Sequence, residues 1–239
     1  MVDANDYFDK AQELVGALRE REAEHIATAA GWCADTIVAG GIVHLFGSGH
    51  SALPAREAFV RAGSLSAIRA IGLDPVIGRF ERVEGTGLAL LEREDVREGE
   101  VMIVISQSGI NPLPIEVALE AKRRGLRTVA ITSLAHSSAS ASRRRSGEHL
   151  FEIADLVIDT HVPLGDASIS LDDTPMKVGP LSTLAGVLVI NAIVAATAGR
   201  LVALGSTPPV RISRNTPQGD AHNRAFAERY GDRIPELRT

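Results

Sequence analysis

Val101-Met-Ile-Val-Ile-Ser-Gln-Ser-Gly-Ile-Asn-Pro112 changes character at its sixth residue. The first five residues are apolar without alternation, the pattern of a strand buried on both faces of a parallel sheet. Ser106, Ser108 and Gly109 then form a hydroxyl-rich turn. Asn111-Pro112 caps and opens a helix predicted to run to about Arg124. A strand, a tight polar turn and a helix N-terminus make an anion site, because backbone N–H groups and the helix dipole converge there. The two serines add hydroxyl donors, and the stretch reads as a phosphate pocket. A turn of this kind in an α/β protein also contains Ser and Gly without any ligand.

A second copy of the arrangement lies upstream. Ile42-Val43-His44-Leu45-Phe46 is another strand, followed by Gly47-Ser48-Gly49-His50-Ser51 and a helix-like run from Ala52 to Ala62. Two such units place two helix N-termini side by side at the carboxyl edge of one sheet, where ligands of open α/β folds bind.

Working outward, residues from Asn5 to Ala39 carry apolar positions at helical spacing and predict one or two helices. Further strands are predicted over Leu65–Ile71, over Arg127–Thr132 and at Leu156–Ile158, with a short helix over Gly85–Glu92. A long helix is predicted from about Val178 to Leu204, and a last one over Arg224–Tyr230. Strands near 42, 66, 101, 127 and 156 alternate with helices, which predicts a three-layer αβα sandwich around a five-stranded parallel sheet. The expected organisation is a helical segment over 1–39, a central domain over 40–206 and an extension over 207–239. His136 to Gly147 reads as a Ser-rich loop. Its Arg143-Arg144-Arg145 run is either solvated or a source of a guanidinium for the phosphate pocket. Asp172-Asp173 reads as a surface turn rather than a metal site, since no histidine lies at suitable spacing.

The balance of 25 basic and 30 acidic residues, net −5, gives no support to a nucleic-acid partner. The lone Cys33 excludes an internal disulfide framework, fits a reducing compartment, and lies beside Trp32 in an apolar run as packing. The acidic first residues do not form a signal pattern, so a cytoplasmic location is expected. Leu181–Ala198 is Ala-rich and interrupted by Ser182, Thr183 and Asn191, favouring a buried or interface helix over a membrane span. No metal and no cofactor are expected.

Together, Gly47-Ser-Gly-His-Ser51 and Ser106-Gln-Ser-Gly109 resemble the SIS (sugar isomerase) domain, and the resemblance covers nearly the whole chain. It is nearest to a stand-alone bacterial branch. The stretches Ile103–Arg124, Ser146-Gly147 with Ala154–Asp159, Gly165-Asp166-Ala167 and Asn215–Ile234 carry that match. The resemblance implies a flavodoxin-like fold, a phosphosugar ligand and a homodimer or larger assembly. It places the phosphate on Ser106, Gln107, Ser108 and Gly109, supplemented by Thr132 or Ser133. Gly47, Ser48, Gly49 and Ser51 would face the sugar or its phosphate.

Aldose–ketose isomerisation of a phosphosugar needs an acid/base for ring opening and a base that shuttles a proton between C1 and C2. His50, Glu57 and His222 are the leading candidates, with Glu81 and Glu84 beside them. Glu57 is also spaced to pair with Arg61 one helical turn on. Relatives that form glucosamine phosphate carry a catalytic histidine in a Lys-His-Gly-Pro stretch. Here it reads Lys177-Val178-Gly179-Pro180, and valine moves no proton. The expected function is a phosphosugar isomerase. The alternatives are a non-catalytic phosphosugar sensor, although no helix-turn-helix is visible, and a lyase or etherase acting on an amino-sugar phosphate.

Overall fold

The uninterrupted apolar runs become the central strands of the computed structural model, which describes residues 2–238. Strands β1 (Val43–Gly47), β2 (Ile68–Ile71), β3 (Val101–Ile105), β4 (Arg127–Thr132) and β5 (Leu156–Asp159) pair in parallel, in the order β2-β1-β3-β4-β5. The lack of alternation in β3 follows from its two covered faces. Val101, Ile103 and Ile105 enter one core, and Met102 and Val104 enter the other.

The first core is built with α1 (Ala4–Arg21), α2 (Ala23–Val38), α3 (Ala52–Ala58) and α8 (Ser182–Ala203). The second is built with α4 (Thr86–Leu91), α5 (Pro112–Arg123) and α7 (Leu150–Ile153). The short α6 (Leu134–Ser138) follows β4, and α9 (Gly219–Tyr230) closes the chain with a final 3-10 turn at Pro235–Arg238. This is the three-layer sandwich that the sequence predicts. Cys33 is buried in the first core, and its burial pushes the thiol up to about 12 against a lowering contact from Thr197, so it is packing. The apolar α8 is long enough to cross a bilayer, yet Ala185, Val189, Ile190, Ile193 and Val194 are buried in the same core.

The N-terminal segment forms two helices that meet at Glu22, within the expected one or two. Several other boundaries differ from expectation for identifiable reasons. α3 stops at Ala58 because Phe59 is extended and Val60 takes a φ of 47°. Leu65 does not extend β2; it bridges Val210 in antiparallel fashion instead. The Ser-rich segment begins as helix α6. The long helix starts at Ser182, because the preceding residues form a hairpin of β6 (Ala167–Ser170) and β7 (Lys177–Pro180). The last helix begins earlier than predicted, at Gly219.

The C-terminal extension lies along the amino-terminal edge of the sheet. Arg211 N–H donates to Ser64 O at 2.9 Å and Ser66 N–H to Pro209 O at 2.8 Å, just ahead of β2. Arg233 donates to Glu100, the residue that precedes β3.

Candidate functional site

In the order β2-β1-β3, the chain leaves β1 in one direction for β2 and returns on its other side as β3. α3 and α5 therefore pack on opposite faces of the sheet, and a crevice opens between the carboxyl ends of β1 and β3. The register pairs Gly47 with Ile105, so both Gly/Ser turns leave their strands at the same level.

Gly47 is obligatory in the first turn, because a Cβ there would stand 2.0 Å from Ser51 O. Ser48 is buried, and its hydroxyl donates to Glu81 Oε1 at 3.0 Å. The chain then makes a 3-10 turn through Gly49, His50 and Ser51 into α3, with Gly49 and His50 exposed. Glu81 also reaches the helix that follows the second turn, since its carbonyl accepts from Leu113 N–H at 3.2 Å in the first turn of α5. It links the first turn to α5.

In the second turn, Gly109 has a φ of 61°, and a Cβ there would stand 2.7 Å from Ser137 Oγ and 2.9 Å from Thr132 Oγ1. Its N–H donates to Ser106 Oγ at 3.3 Å, while the N–H groups of Gln107, Ser108 and Ile110 have no acceptor among the described residues. Asn111 precedes α5 but does not cap it with its side chain, which accepts from Arg143 Nη1 at 2.8 Å. Pro112 and Pro114 carry no N–H, so the free donors belong to the turn and not to the first helical turn. Thr132 and Ser133 are fully buried beneath this turn. Ser133 N–H donates to Gln107 O at 3.1 Å, Thr132 Oγ1 lies 3.1 Å from Ser137 Oγ, and Ser137 Oγ donates to Ser108 O at 2.7 Å. These hydroxyls brace the turn from below.

A cleft runs from the first turn across the ends of β3 and β4 to the start of α8, lined by His50, Ser51, Gln107, Thr160, Ser182 and Thr183. Gln107 is held over it because Thr160 Oγ1 donates to its Oε1 at 3.1 Å, which leaves Nε2 buried and without an acceptor among the described residues. A buried amide donor with no partner is costly in a closed protein and useful in a binding site. Asp166 organises the far wall, accepting from Leu181 N–H at 3.0 Å, Ser182 N–H at 2.8 Å and Ser182 Oγ at 2.7 Å.

The remaining candidates separate. Glu57 is half-buried and paired with Arg61. His222 lies at the opposite edge of the sheet, with Nε2 2.9 Å from Val210 O and its ring edge-on to Phe226. Within one chain it does not share the cleft. Val178 sits in β7 opposite Ile169, with no imidazole in its place. Arg144 pairs with Glu148 and Arg145 with Glu84, so Arg143 is the one arginine of the run held at the turn. The sequence reading missed His136, assigned there to a solvated loop. It follows the Thr132-Ser133 pair on α6, and its Nδ1 is buried without a partner among the described residues. Burial holds the ring below the usual histidine range, with Asp166 opposing and Arg143 reinforcing the shift.

The sequence profile of the SIS domain matches residues 6–133. A UPF0309 protein of Geobacillus thermodenitrificans is 38% identical over 245 residues, covering 99% of this chain and 98% of the relative. Among solved structures, the phosphoheptose isomerase of Neisseria gonorrhoeae superposes with a TM-score of 0.61 at 17% identity, covering 82% of this chain and 96% of the other. The Vibrio vulnificus NanR protein complexed with ManNAc-6P gives 0.51 at 12% identity, covering 97% and 68%. At these identities the structural likeness establishes the fold.

Proposed function

The chain belongs to the SIS domain family, and from that membership together with the geometry of the cleft we propose that it binds a phosphorylated sugar and interconverts its aldose and ketose forms. The observation that carries this reading is the pairing of two Gly/Ser turns, level with each other at the reversal of strand order. The Ser106–Ile110 turn offers N–H groups and the Ser108 hydroxyl to a phosphate, with Arg143 beside it. Gln107 Nε2 and the first turn offer donors to the sugar oxygens.

Glu81 is the carboxylate that the fold holds at the first turn, through Ser48, with its backbone fixed to the start of α5, and we assign it the proton shuttle between C1 and C2. It takes the proton from one carbon to form the enediol and returns it to the other. His50, exposed at the cleft, assists ring opening and transfer of the hydroxyl proton. Glu57 is the competing carboxylate. Loss of a positioned general base costs about 10²–10⁴-fold, so Glu81→Gln is expected to lower kcat by about that factor while leaving sugar-phosphate binding. Turnover lost in Glu57→Gln and kept in Glu81→Gln transfers the role to Glu57.

Incubation of the protein with a sugar phosphate in D₂O tests the reaction class. Deuterium entering at C2 with an aldose–ketose pair recovered is the expected outcome. Release of a fragment from the sugar identifies a lyase or etherase instead. Val178 favours a second reading, binding without turnover, which predicts saturable binding and no deuterium incorporation. The groove between α1, α2 and α8, lined by Val15, Leu18, Ile26, Leu188 and Ala192, supports assembly as a homodimer or larger oligomer.

A further inference from the structure

Glu22, at the junction of α1 and α2, is only 4% exposed. A buried carboxylate needs donors, and two of them come from far along the chain. Its Oε1 accepts from His161 Nε2 at 2.8 Å, while Oε2 accepts from Asp159 N–H at 3.2 Å and from His25 Nδ1 at 2.8 Å. One carboxylate thus grips the residue before Thr160 and the residue after it. Thr160 is buried, its N–H donates to Thr132 O at 2.8 Å, and its hydroxyl donates to Gln107 Oε1 at 3.1 Å. That last bond leaves Gln107 Nε2, at the wall of the cleft, buried and without an acceptor among the described residues.

His161 takes a φ of 55°, a left-handed backbone that a residue other than glycine keeps only where its surroundings fix it. Here both ring nitrogens face a carboxylate, Glu22 on Nε2 and Asp159 Oδ2 at 3.3 Å from Nδ1. Asp159 Oδ1 also accepts from the N–H groups of His161 and Leu134, both at 3.0 Å. Packing the N-terminal helices onto the sheet does not require this polar clamp, because Leu14, Leu18, Cys33 and Ile37 already seat α1 and α2 in the first core.

We propose that Glu22 and His161 are positioning residues for the phosphosugar cleft: together they hold Thr160 so that its hydroxyl aims the Gln107 amide at a hydroxyl oxygen of the sugar. This rests on the phosphosugar function proposed for the cleft and adds a device for choosing the sugar. The phosphate is held by the Ser106–Ile110 turn, so the device acts on the sugar and not on the phosphate. The N-terminal helices thereby take part in selecting a ligand they do not touch.

The test compares wild type, Gln107→Ala, His161→Asn and the double variant Gln107→Ala/His161→Asn by calorimetric titration. The probes are inorganic phosphate and the tightest binder among hexose, pentose and heptose phosphates. Asparagine tolerates the left-handed backbone but is too short to reach Glu22. His161→Asn should bind the sugar phosphate roughly 3–10-fold more weakly, the size of one hydrogen bond, with phosphate affinity unchanged. Gln107→Ala and Glu22→Gln should show the same selective loss, and the double variant no more than either parent. His161→Gln, whose amide nitrogen reaches the place of Nε2, should recover wild-type affinity. Unchanged sugar-phosphate affinity in His161→Asn or Gln107→Ala, a parallel loss of phosphate, or additive losses in the double variant overturns the proposal.

The aim of Gln107 is also read without ligand. The chain has three glutamines, Gln12, Gln107 and Gln218, so the Gln107 side-chain amide is identified in protein labelled with ¹⁵N-glutamine by its absence from Gln107→Ala. Its signals should move in His161→Asn, and signals that stay in place overturn the proposal. If wild type binds no sugar phosphate, the phosphosugar function fails, and the amide signals still decide whether Glu22 and His161 aim Gln107.

Discussion

Ser108 and Gly109 do different work within one turn. The Ser108 hydroxyl is offered outward, so Ser108→Ala should remove phosphosugar binding and leave the melting temperature of the unliganded protein nearly unchanged. At Gly109 an added methyl meets Ser137 Oγ and Thr132 Oγ1 at a φ of 61°. Gly109→Ala should therefore destabilise the protein by about 1–3 kcal/mol, read by chemical denaturation, and lose the ligand too. The turn was legible in the sequence because glycine and hydroxyl residues follow directly on an apolar strand, although the same pattern occurs without a ligand. Glu81 was harder to rank. Its link to Ser48 crosses from one βα unit to another, and no local spacing announces it. His136 went unnoticed because serines surround it, whereas the fold buries its Nδ1.

At the level of elements, the strands were readable from their apolar runs, since a strand covered on both faces is mostly apolar; His44 in β1 and Thr128 in β4 are buried exceptions that have hydrogen-bond partners. The β6–β7 hairpin was not. Val178 and Met176 stay exposed in it and Ser170 pairs with Lys177, so no apolar alternation marks it, and the long helix was predicted to begin too early. The start of β2 was misplaced for a long-range reason, the pairing of Leu65 with Val210.

One element-level network predicts a pH response. Glu100 accepts from His44 Nε2 at 2.8 Å, from Ile42 N–H at 2.9 Å and from Arg233 at the amino edge of the sheet. Burial raises its pKa, but the hydrogen bonds from His44 and Arg233 outweigh it and bring the carboxyl to about 2. A carboxyl depressed in the folded state stabilises above its unfolded value of 4.5 and loses that contribution as pH falls toward 2. Burial also lowers the pKa of His44, so the unfolded chain takes up that proton first, and stability falls in the same direction on acidification. Unfolding free energy should thus drop between about pH 6.5 and pH 2, by an amount on the order of 3 kcal/mol for Glu100 alone. The Glu100→Gln variant should be less stable at neutral pH and show a flatter acid limb; an unchanged limb would remove Glu100 from the account.

Taken whole, the molecule separates two edges of one sheet. The carboxyl edge carries the cleft, and the amino edge carries the C-terminal extension with His222. His222 can serve chemistry only at a neighbouring chain's cleft, so His222→Ala should leave turnover unchanged unless subunits pack edge to edge. Phe8, Val15 and Val202 are 61%, 44% and 63% exposed on α1 and α8, a surface suited to a second copy. Light scattering after gel filtration should find a dimer or larger species, shifted toward monomer by Val15→Glu.

The central claim is that the cleft at the ends of β1 and β3 holds a phosphosugar. It is tested most directly by thermal melting of wild type and Ser108→Ala against hexose, pentose and heptose phosphates and their N-acetylamino forms. A ligand at 100 times its Kd stabilises by about 2.7 kcal/mol, worth roughly 5–10 °C for a chain of this size. A saturable shift of that order in wild type, lost in Ser108→Ala, is the predicted result. No shift with any of these compounds, or an equal shift in the variant, would contradict it.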